Sequence, residues 1–381
     1  MPGLHSTIPT LTDGVVTLRA PTDDDIEGSF EQCQDPASQR WTRIPVPYTR
    51  DDAKTYLRHI IPGGWETDRE WCFVVEARDD TGTPRFAGSI SLRNEDEARA
   101  EIAYGAHPWV RGRGVMERAC RLLLDWGFAE RDLQTVSWSA RRGNWASRRL
   151  AWRLGFTVEG SMRSWLPQRG ELADVWVGTL LRGDVRSPGS PWLESVRIVG
   201  DRVVVRTMRE ADLPRIVETR SDPDTQRWLQ GARETAPHTM ASNAGFVDAR
   251  LEEAADGQAV HWAIADPVTD DYLGQVSLTG VVHRREADLA YWAHPSSRGR
   301  GTTSEAVRLV VRHCAIPFED GGLGLHRLTA NAAVGNDASQ RLLERAGFTR
   351  IGLENRSTLL PDGTFVDTVL YDQLVDPHKP R

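Results

Sequence analysis

The sequence predicts an α/β fold, a mixed sheet flanked by helices, which occurs twice in tandem. Three observations support this prediction: the chain length, a long internal repeat, and the order of strand-like and helix-like segments within each copy. The chain has 381 residues, and at roughly 100–200 residues per domain this length favours two domains. Hydrophobic residues make up 39% of the chain and charged residues 27%, which is typical of a folded protein with a core.

The repeat consists of segments that recur in the same order and at nearly constant spacing. The offset between the copies is 187 residues up to the glycine-rich segment and 192 residues after it. The second copy therefore has additional residues, which fall near Phe318–Gly322. The recurring pairs are Asp35–Trp41 with Asp222–Trp228, Ala103–Pro108 with Ala290–Pro295, Arg111–Gly114 with Arg298–Gly301, and Asn144–Thr157 with Asn336–Thr349.

The repeat sets the domain organisation. We predict an N-terminal domain over residues 1–183, a linker over 184–195 and a C-terminal domain over 196–376. Gly, Ser and Pro residues between Arg182 and Pro191 indicate the linker. Because both domains contain the same segments, we expect them to share one fold.

Strands of the first copy are predicted from short apolar runs bounded by Gly or charged residues. These runs span residues 15–19, 71–76, 87–92, 100–106, 133–138, 157–165 and 172–181. Several strands come in succession, and strands then alternate with helices. This order implies a mixed sheet flanked by helices.

Helices of the first copy are predicted from polar caps and apolar periodicity. Helical patterns begin near Asp23 and near Asp51. A short helix is predicted over Asn144–Leu154, and Gly155 ends it. After the glycine-rich segment, a helix is predicted from an apolar stripe at i, i+3, i+4 and i+7, formed by Ala119, Leu122, Leu123 and Trp126.

Composition disfavours several classes of function. The net charge is −7 and the pI is near 5.9, which argues against nucleic-acid binding. The four cysteines form no C-x-x-C pair and have no histidine at ligand spacing, so we expect no metal site and no disulfide framework. No run approaches the ~18 apolar residues of a membrane span, and no secretory signal is visible. We therefore expect a cytoplasmic protein without a membrane partner.

The glycine-rich segment of each copy lies between a predicted strand and a predicted helix. Amides in the first turn of a helix lack intrahelical partners and can bind a phosphate, and glycines allow the backbone to approach it closely. A dinucleotide fingerprint would need a third glycine, a Walker loop would need Gly-Lys-Ser/Thr, and a solvated basic turn is the remaining alternative. Because the pattern occurs twice in the same context, we favour phosphate binding. The two segments are Arg111, Gly112, Arg113, Gly114, Val115 and Met116, and Arg298, Gly299, Arg300, Gly301, Thr302 and Thr303.

The order of these motifs resembles the GCN5-related N-acetyltransferases (GNAT), in particular their RimJ/RimL-like branch. Each copy has a strand A-Y-x-A-H-P, a loop R-x-x-G, a helix, and N-x-x-S followed by G-F. The family's loop is written Q/R-x-x-G-x-G/A, and its last position is Met116 in the first copy and Thr303 in the second. The resemblance covers nearly the whole chain and implies two GNAT domains in tandem.

The resemblance implies an acyl-CoA donor, acetyl-CoA or another acyl-CoA, and an amine acceptor. The glycine-rich loops would bind the pyrophosphate of coenzyme A, and Asn144 and Asn336 would contact it besides capping their helices. The strand ends near Ala106 and Ala293 would hydrogen-bond the pantetheine arm as an added strand. A backbone amide there would stabilise the oxyanion while the amine attacks the thioester directly in a ternary complex.

Proton transfer is assigned to residues that match the family pattern. Glu159 occupies the F-T-x-E-G position and is the proposed base, whereas its counterpart in the second copy, Ile351, cannot accept a proton. Ser147 and Ser339 occupy the N-x-x-S position and are candidate catalytic residues, although packing or capping would also explain them. Glu101 is a second candidate base, with an outward-facing strand carboxylate as the alternative interpretation.

Several alternatives stay open at this point. The acceptor amine could belong to a small molecule, a peptide or a protein N-terminus. An acyl carrier protein could replace CoA as donor, and one or both domains could bind CoA without turnover. The protein could be a monomer with an internal pseudo-dimer, or a homodimer. A further hypothesis is that tryptophans line a broad cleft: Trp41, Trp65, Trp71, Trp109, Trp145 and Trp165.

Overall fold

The computed structural model describes residues 8–96, 98–228, 237–282 and 285–375. The chain divides into two compact units between Gly189 and Ser190, within the predicted linker. Residues on each side of this division contact the unit to which they belong. Arg186 lies over the ring of Phe128 at 4.3 Å in the first unit, and the amide of Leu193 donates to Ala254 O at 2.9 Å in the second. The domain bounds given above stay predictions.

The first unit contains one sheet of eight strands with helices between them. Its helices are α1 (Asp25–Gln34), α2 (Pro36–Trp41), α3 (Arg50–Thr55), α4 (Ile61–Glu66), α5 (Val115–Glu130) and α6 (Trp145–Arg153), and a π-helical turn at Tyr56–Ile60 joins α3 to α4. Its strands are β1 (Leu11–Thr12), β2 (Val16–Arg19), β3 (Glu70–Arg78), β4 (Pro84–Asp96), β5 (Arg99–Ala106), β6 (Thr135–Arg141), β7 (Thr157–Gln168) and β8 (Glu171–Leu181).

The second unit repeats this architecture. Its helices are α7 (Leu213–Ser221), α8 (Pro223–Trp228), α9 (Phe246–Ala255), α10 (Thr302–Ala315) and α11 (Asp337–Ala346). Its strands are β9 (Ile198–Val199), β10 (Val204–Thr207), β11 (Ala259–Ala265), β12 (Tyr272–Val282), β13 (Glu286–Ala293), β14 (Arg327–Ala333), β15 (Thr349–Leu359) and β16 (Phe365–Leu374).

Both sheets are mixed, which confirms the predicted fold class. The strand order is β1-β2-β3-β4-β5-β6-β8-β7 in the first unit and β9-β10-β11-β12-β13-β14-β16-β15 in the second. Among the described residues, β5 with β6 and β13 with β14 are the only strand pairs that are parallel. A parallel pair needs a crossover connection, and helices α5 and α10 supply it. Each crossover helix therefore starts beside the end of a central strand.

The crossover helix α5 packs its apolar stripe on the sheet. Ala119 and Leu123 of the predicted stripe are fully buried, and Trp126 is nearly so. Trp126 contacts Trp65 and Trp71, with ring centroids 5.6 and 5.9 Å apart. Trp65 and Trp71 are therefore core residues, so the hypothesis of one broad tryptophan-lined cleft is wrong for these two positions.

In the part of the chain that the structure describes, no helix is both long and apolar enough to cross a membrane.

Candidate functional site

Strands β5 and β6 separate halfway along their length. Their parallel pairing ends at Ile102 and Trp138, although β5 stays paired with β4 through Ala106 and β6 stays paired with β8 through Arg141. Among the described residues, 103–106 of β5 therefore have no strand partner on the β6 side. Their backbone groups on that side are available to an extended ligand that binds as an added strand.

The glycine-rich segment lies directly beyond this open edge. Gly112 and Gly114 have φ of 77° and 73°, a left-handed conformation that glycine adopts without steric cost. A Cβ at either position would meet nothing within 4 Å, so the space beside the loop is open. Gly114 is the N-cap of the 16-residue helix α5, whose first amides have no intrahelical acceptor. The loop thus has the geometry that favours anion binding at the positive end of a helix dipole.

The second unit reproduces both features. Pairing of β13 with β14 ends at Asp288 and Thr329, while β13 stays paired with β12 through Ala293. Gly299 and Gly301 have φ of 72° and 74°, and Gly301 is the N-cap of α10. The strand edge and the helix N-terminus therefore meet in both units.

Arg111, a predicted phosphate ligand, is engaged with the protein itself. Its Nη2 donates to Asp35 Oδ2 at 2.6 Å, to Ser38 Oγ at 2.9 Å and to Ala106 O at 3.3 Å. The hydrogen bond from Arg111 lowers the pKa of Asp35. The Asp35 carboxylate also caps α2, because it accepts a hydrogen bond from the Ser38 amide. Arg111 therefore ties the loop to α2, and the backbone amides are left as the main anion donors.

Arg298 makes the same connection in the second unit. It pairs with Asp222 and donates to Thr225 Oγ1 at 2.6 Å. This contact explains why Asp35–Trp41 and Arg111–Gly114 recur at the same offset. Sequence reasoning found both motifs but missed their connection, which the shared 187-residue offset could have suggested.

The other loop arginines are more exposed. Arg113 forms an ion pair with Asp80, with Nη1 and Oδ1 2.8 Å apart, and both side chains are largely solvated. Arg300 is exposed, and its carbonyl accepts from Arg202 Nη1 at 3.4 Å. Such solvated charges contribute little to stability, so Arg113 and Arg300 can turn toward an anionic ligand.

Asn144 and Asn336 cap α6 and α11, as predicted. Asn144 Oδ1 accepts from the amide of Ser147 at 3.3 Å, and Asn336 Oδ1 accepts from the amide of Ser339 at 3.2 Å. Each cap follows a glycine that lies against the last tryptophan of the repeated Asp-Pro motif. In the first unit, a Cβ on Gly143 would lie 3.6 Å from Trp41. Helix α2 thus contacts both the glycine-rich segment and the turn before α6.

Ser147 and Ser339 each hydrogen-bond a tyrosine of the separated strand. Ser147 Oγ lies 2.8 Å from Tyr104 Oη and accepts from Trp138 Nε1 at 3.1 Å. Ser339 Oγ lies 2.9 Å from Tyr291 Oη. Burial raises the pKa of Tyr104, and it raises the pKa of Tyr291 to about 12, so both phenols stay protonated. The sequence analysis missed this link between the tyrosines and the serines.

Glu101 lies on the opposite face of the sheet from Tyr104, because alternate strand residues face opposite sides. Its Oε1 accepts from Ser139 Oγ at 2.5 Å, and its Oε2 lies 3.5 Å from Arg93 Nη1. Glu101 directly precedes the last paired residue of β5. A carboxylate therefore stands where β5 and β6 begin to separate.

Glu159 lies farther from this point. It is exposed in β7, and its Oε1 accepts from Thr179 Oγ1 at 2.5 Å. Strand β7 lies three strands away from β5 in the sheet order, which corresponds to about 14 Å at about 4.8 Å per strand. The structure does not bring Glu159 together with the loop or with Ser147. Its assignment as base stays a prediction.

The same face of the second unit has different side chains. Asp288, the counterpart of Glu101, accepts from Thr329 Oγ1 at 3.0 Å, and burial raises its pKa. On the neighbouring strands, His261 Nδ1 lies 2.8 Å from Ser277 Oγ, and His261 Nε2 lies 2.6 Å from Glu253 Oε2. The two units therefore share the loop and the open strand edge but differ on this face.

Comparisons with known proteins identify the family of this chain. The family model described as Acetyltransferase (GNAT) domain matches residues 16–157 and 202–349. The candidate ribosomal N-acetyltransferase YdaF of Bacillus subtilis (strain 168) is 37% identical over 135 residues, which cover 34% of this chain and 71% of YdaF. The ribosomal protein uS5-alanine N-acetyltransferase of Escherichia coli (strain K12) is 26% identical over 181 residues, which cover 46% of this chain and 89% of that enzyme.

Among solved structures, Mycobacterium smegmatis RimJ in complex with CoA-disulfide matches with a TM-score of 0.42 and 23% sequence identity. The match covers 47% of this chain and 88% of RimJ. The two ranges of the family model together span most of the chain, one in each compact unit. The chain therefore belongs to the GCN5-related N-acetyltransferase family, as an acyltransferase with two GNAT domains in tandem.

Proposed function

We propose that the protein transfers an acetyl group from acetyl-CoA to a primary amine of a peptide or protein, by direct attack in a ternary complex. One observation supports this most strongly. The open edge of β5 and the bare amides at the start of α5 are contiguous, and the second unit repeats the arrangement. A strand edge and an anion site in succession suit a donor that joins a pantetheine arm to a pyrophosphate.

The residues present fit coenzyme A. The pyrophosphate would accept hydrogen bonds from the amides of Val115 and Met116, with nothing within 4 Å of a Cβ at Gly112 to block it. The pantetheine amides would pair with residues 103–106. Thr302, Thr303 and Ala293 would serve the same roles in the second unit.

Direct attack is supported by the state of the cysteines. All four are buried, and burial raises the pKa of Cys33 to about 11 and of Cys72 to about 12. Burial also raises the pKa of Cys120 and Cys314. A buried protonated thiol is a poor nucleophile, so we propose no acyl-enzyme.

We propose that proton-transfer groups lie on both faces of the sheet, at the point where β5 and β6 separate. Glu101, beside the point of separation, would take the proton from the attacking amine, with Glu159 as the competing assignment. The protonated hydroxyls of Tyr104 and Ser147 would supply a proton to the leaving thiolate. Tyr291 and Ser339 would do the same in the second unit.

A protein N-terminus is the proposed acceptor. Two similar proteins from Escherichia coli are named as acetyltransferases of ribosomal protein uS5 alanine and of ribosomal-protein serine. Both names specify residues of ribosomal proteins. We therefore propose the α-amine of a peptide or protein ahead of a small-molecule amine.

The test is a thiol-release assay with the full chain, acetyl-CoA and a peptide library. We expect free thiol only with peptides whose N-terminus is unblocked, together with a mass gain of one acetyl group. Acetyl-pantetheine and an acetylated acyl carrier protein serve as alternative donors, and we expect both to react more slowly because they lack the adenosine phosphates. Tight binding of CoA without thiol release from any amine would contradict the proposal and support a non-catalytic CoA-binding module.

A further inference from the structure

Three polar side chains of the second unit are hydrogen-bonded in a row that runs from β12 through β11 to helix α9. Ser277 Oγ lies 2.8 Å from His261 Nδ1, and His261 Nε2 lies 2.6 Å from Glu253 Oε2. Ser277 and His261 are each 4% exposed, whereas the Glu253 side chain is 33% exposed. The row therefore joins a buried hydroxyl to a carboxylate at the surface, and none of the three residues has a role in the proton transfer proposed above.

The buried end of the row lies beside the open edge of β13. Ser277 pairs with Ala290 across the two antiparallel strands, and Gln275 pairs with Trp292. Directly paired residues project to the same face, and both pairs lie beyond Asp288, where the pairing of β13 with β14 ends. Ala290 is exposed, so this face is accessible there. An amine at the open stretch of β13 would have Ser277 on the neighbouring strand, about 4.8 Å away.

Hydrogen bonding within the row determines which atoms carry protons. The bond from His261 lowers the pKa of Glu253, so the carboxylate is ionised and can only accept. His261 Nε2 therefore carries the proton, and Nδ1 accepts from the Ser277 hydroxyl. Burial lowers the pKa of His261, although Glu253 opposes this effect and Arg250 reinforces it, so the ring is neutral near pH 7. His261 Nδ1 can thus take a proton through Ser277, and Glu253 would stabilise the resulting imidazolium.

Gln275 adds a second acceptor at the buried end of the row. Its Nε2 donates to Ser277 Oγ at 2.6 Å, which leaves one lone pair of this oxygen for a further donor. Gln275 is 7% exposed, and among the described residues its Oε1 has no hydrogen-bond partner. A buried carbonyl oxygen without a donor costs free energy. The N–H groups of an amine would supply donors to both oxygens.

The first unit has the serine of this row but no histidine. In the strand pairing, Ser91 occupies the place of Ser277, and Cys72 occupies the place of His261. Ser91 Oγ donates instead to Glu70 Oε1 at 2.6 Å. Burial raises the pKa of Cys72 to about 12, so its protonated thiol does not replace the imidazole as a proton acceptor. The row is therefore specific to the second unit.

We propose that Ser277, His261 and Glu253 form a proton relay that serves as the base of the second unit. As the amine nitrogen bonds to the thioester carbon, its proton passes to Ser277 Oγ while the Ser277 hydroxyl proton passes to His261 Nδ1. The C–S bond breaks, and the sulfur takes its proton from the hydroxyls of Tyr291 and Ser339. The imidazolium then returns its proton to solvent. The relay rests on the proposed function, since the amine is the acceptor of that reaction.

The test uses the full chain with Gly112→Asp, whose carboxylate should repel a pyrophosphate from the first unit and leave donor binding to the second. With acetyl-CoA and a free-amine peptide, Ser277→Ala and His261→Gln should each lower kcat about 100-fold with little change in KM, a typical contribution of a general base. The double variant should be no slower than either single variant, because residues that act as one unit are not additive. Ser277→Thr keeps the hydroxyl and should retain most of the rate.

The pH profile of kcat/KM gives a readout that a change in packing would not alter. We expect a rise through the pKa of His261, below its ordinary value of about 6.5, and a second rise as an α-amine loses its proton near pH ~7.7. Ser277→Ala should remove only the first rise. The matched control is Ser91→Ala in the chain with Gly299→Asp, which changes the corresponding serine of the first unit and should leave kcat unchanged.

Three results would overturn the relay while the proposed function stands. The first is a normal kcat in either Ser277→Ala or His261→Gln. The second is thiol release by the Gly299→Asp chain with none by the Gly112→Asp chain. The third is loss of CoA binding in Ser277→Ala or His261→Gln, measured by titration, which would show that these residues only maintain the fold. If neither the Gly112→Asp chain nor the Gly299→Asp chain releases thiol, the proposed function is wrong and the relay with it.

Discussion

The two units share the geometry of the glycine-rich segment and the open strand edge, but the opposite face of the sheet carries different side chains. Each has a strand that leaves its parallel partner, a glycine N-cap at the crossover helix, and an arginine that ties the loop to an aspartate. Each also has a tyrosine bonded to the serine of the Asn-x-x-Ser motif.

The opposite face of the sheet differs between the units. Glu101 corresponds to Asp288, and Glu159 corresponds to Ile351. The second unit has His261 on β11, where it pairs with Glu253 of helix α9, whereas the first unit has Cys72 bonded to Tyr56. If the proposed function holds, the difference predicts that donor binding is duplicated, whereas acceptor recognition and proton transfer are specific to each unit.

The largest expected effect comes from a charge placed in the loop. A Cβ added at Gly112 meets nothing within 4 Å, although the φ of 77° strains any side chain there. The carboxylate of Gly112→Asp would repel a pyrophosphate and compete for the α5 amides, and Gly112→Asn carries the same backbone strain. We expect the CoA affinity of the first unit to fall roughly 1,000-fold, because two charge-assisted hydrogen bonds to the pyrophosphate would be lost. Titration with CoA should show two sites per chain in the unaltered protein and one in the variant.

The same experiment separates the two units. Gly112→Asn has nearly the same shape without the charge and should retain both sites, and Gly299→Asp should remove the site of the second unit. If Gly299→Asp alone abolishes thiol release while Gly112→Asp leaves it unchanged, turnover belongs to the second unit and the proposal of Glu101 as the base is wrong.

The second-largest effect is expected from replacing Glu101, the proposed base of the first unit. Glu101→Gln keeps a group that accepts from Ser139 Oγ but removes the proton acceptor, so we expect kcat to fall about 100-fold with little change in KM. The measurement is the pH profile of kcat/KM for a peptide acceptor. Asp288→Asn is the matched change in the second unit and should have a much smaller effect.

Glu159→Gln tests the competing assignment. Since Glu159 is exposed and bonded to Thr179, we expect only a few-fold change in kcat. A 100-fold loss of kcat in Glu159→Gln, together with a normal kcat in Glu101→Gln, would place the base on β7 instead of β5.

The smallest effect concerns the stability of the loop anchor. The hydrogen bond from Arg111 lowers the pKa of Asp35 in the folded state, so its contribution is fully present above the unfolded-state pKa of about 3.9. That contribution is lost as the pH falls through the lower folded-state pKa. Asp35→Asn keeps the N-cap but removes the ion pair and should cost about 0.5–1 kcal/mol at pH 7.

Urea unfolding at pH 7 and at pH 3 measures this contribution. The difference in the free energy of unfolding between the unaltered protein and Asp35→Asn should shrink at pH 3. Asp80→Asn removes the solvated partner of Arg113. It should change the free energy of unfolding by a few tenths of a kcal/mol at most. A larger effect from Asp80→Asn than from Asp35→Asn would contradict the role given to the anchor.

Much of the fold was predictable because its signals are local. The strand at 100–106 was predicted and observed as Arg99–Ala106, and the helix after the glycine-rich segment was observed as Val115–Glu130. The caps Asn144 and Asn336 were also correct. Periodicity, capping residues and glycines act within one or two turns of chain, so a single sequence reveals them.

The site was predictable only where it consists of backbone. Gly112 and Gly114 were assigned by their place between a strand and a helix, and the structure has that junction. Arg111 was expected to face a phosphate, but its bond to Asp35 spans 76 residues of sequence. No local pattern reports a contact over that separation.

The sequence by itself determined that the chain has two copies of one fold, where their elements lie, and which turns start the crossover helices. Repeats and local periodicity are sufficient for that. Only the tertiary structure decided that Ser147 meets Tyr104, that Glu101 stands nearer the separated strands than Glu159, and that His261 meets Ser277. These relations depend on strand register and on side chains from distant segments that approach within a few ångströms. The spacing of residues along the chain predicts neither the register nor such approaches.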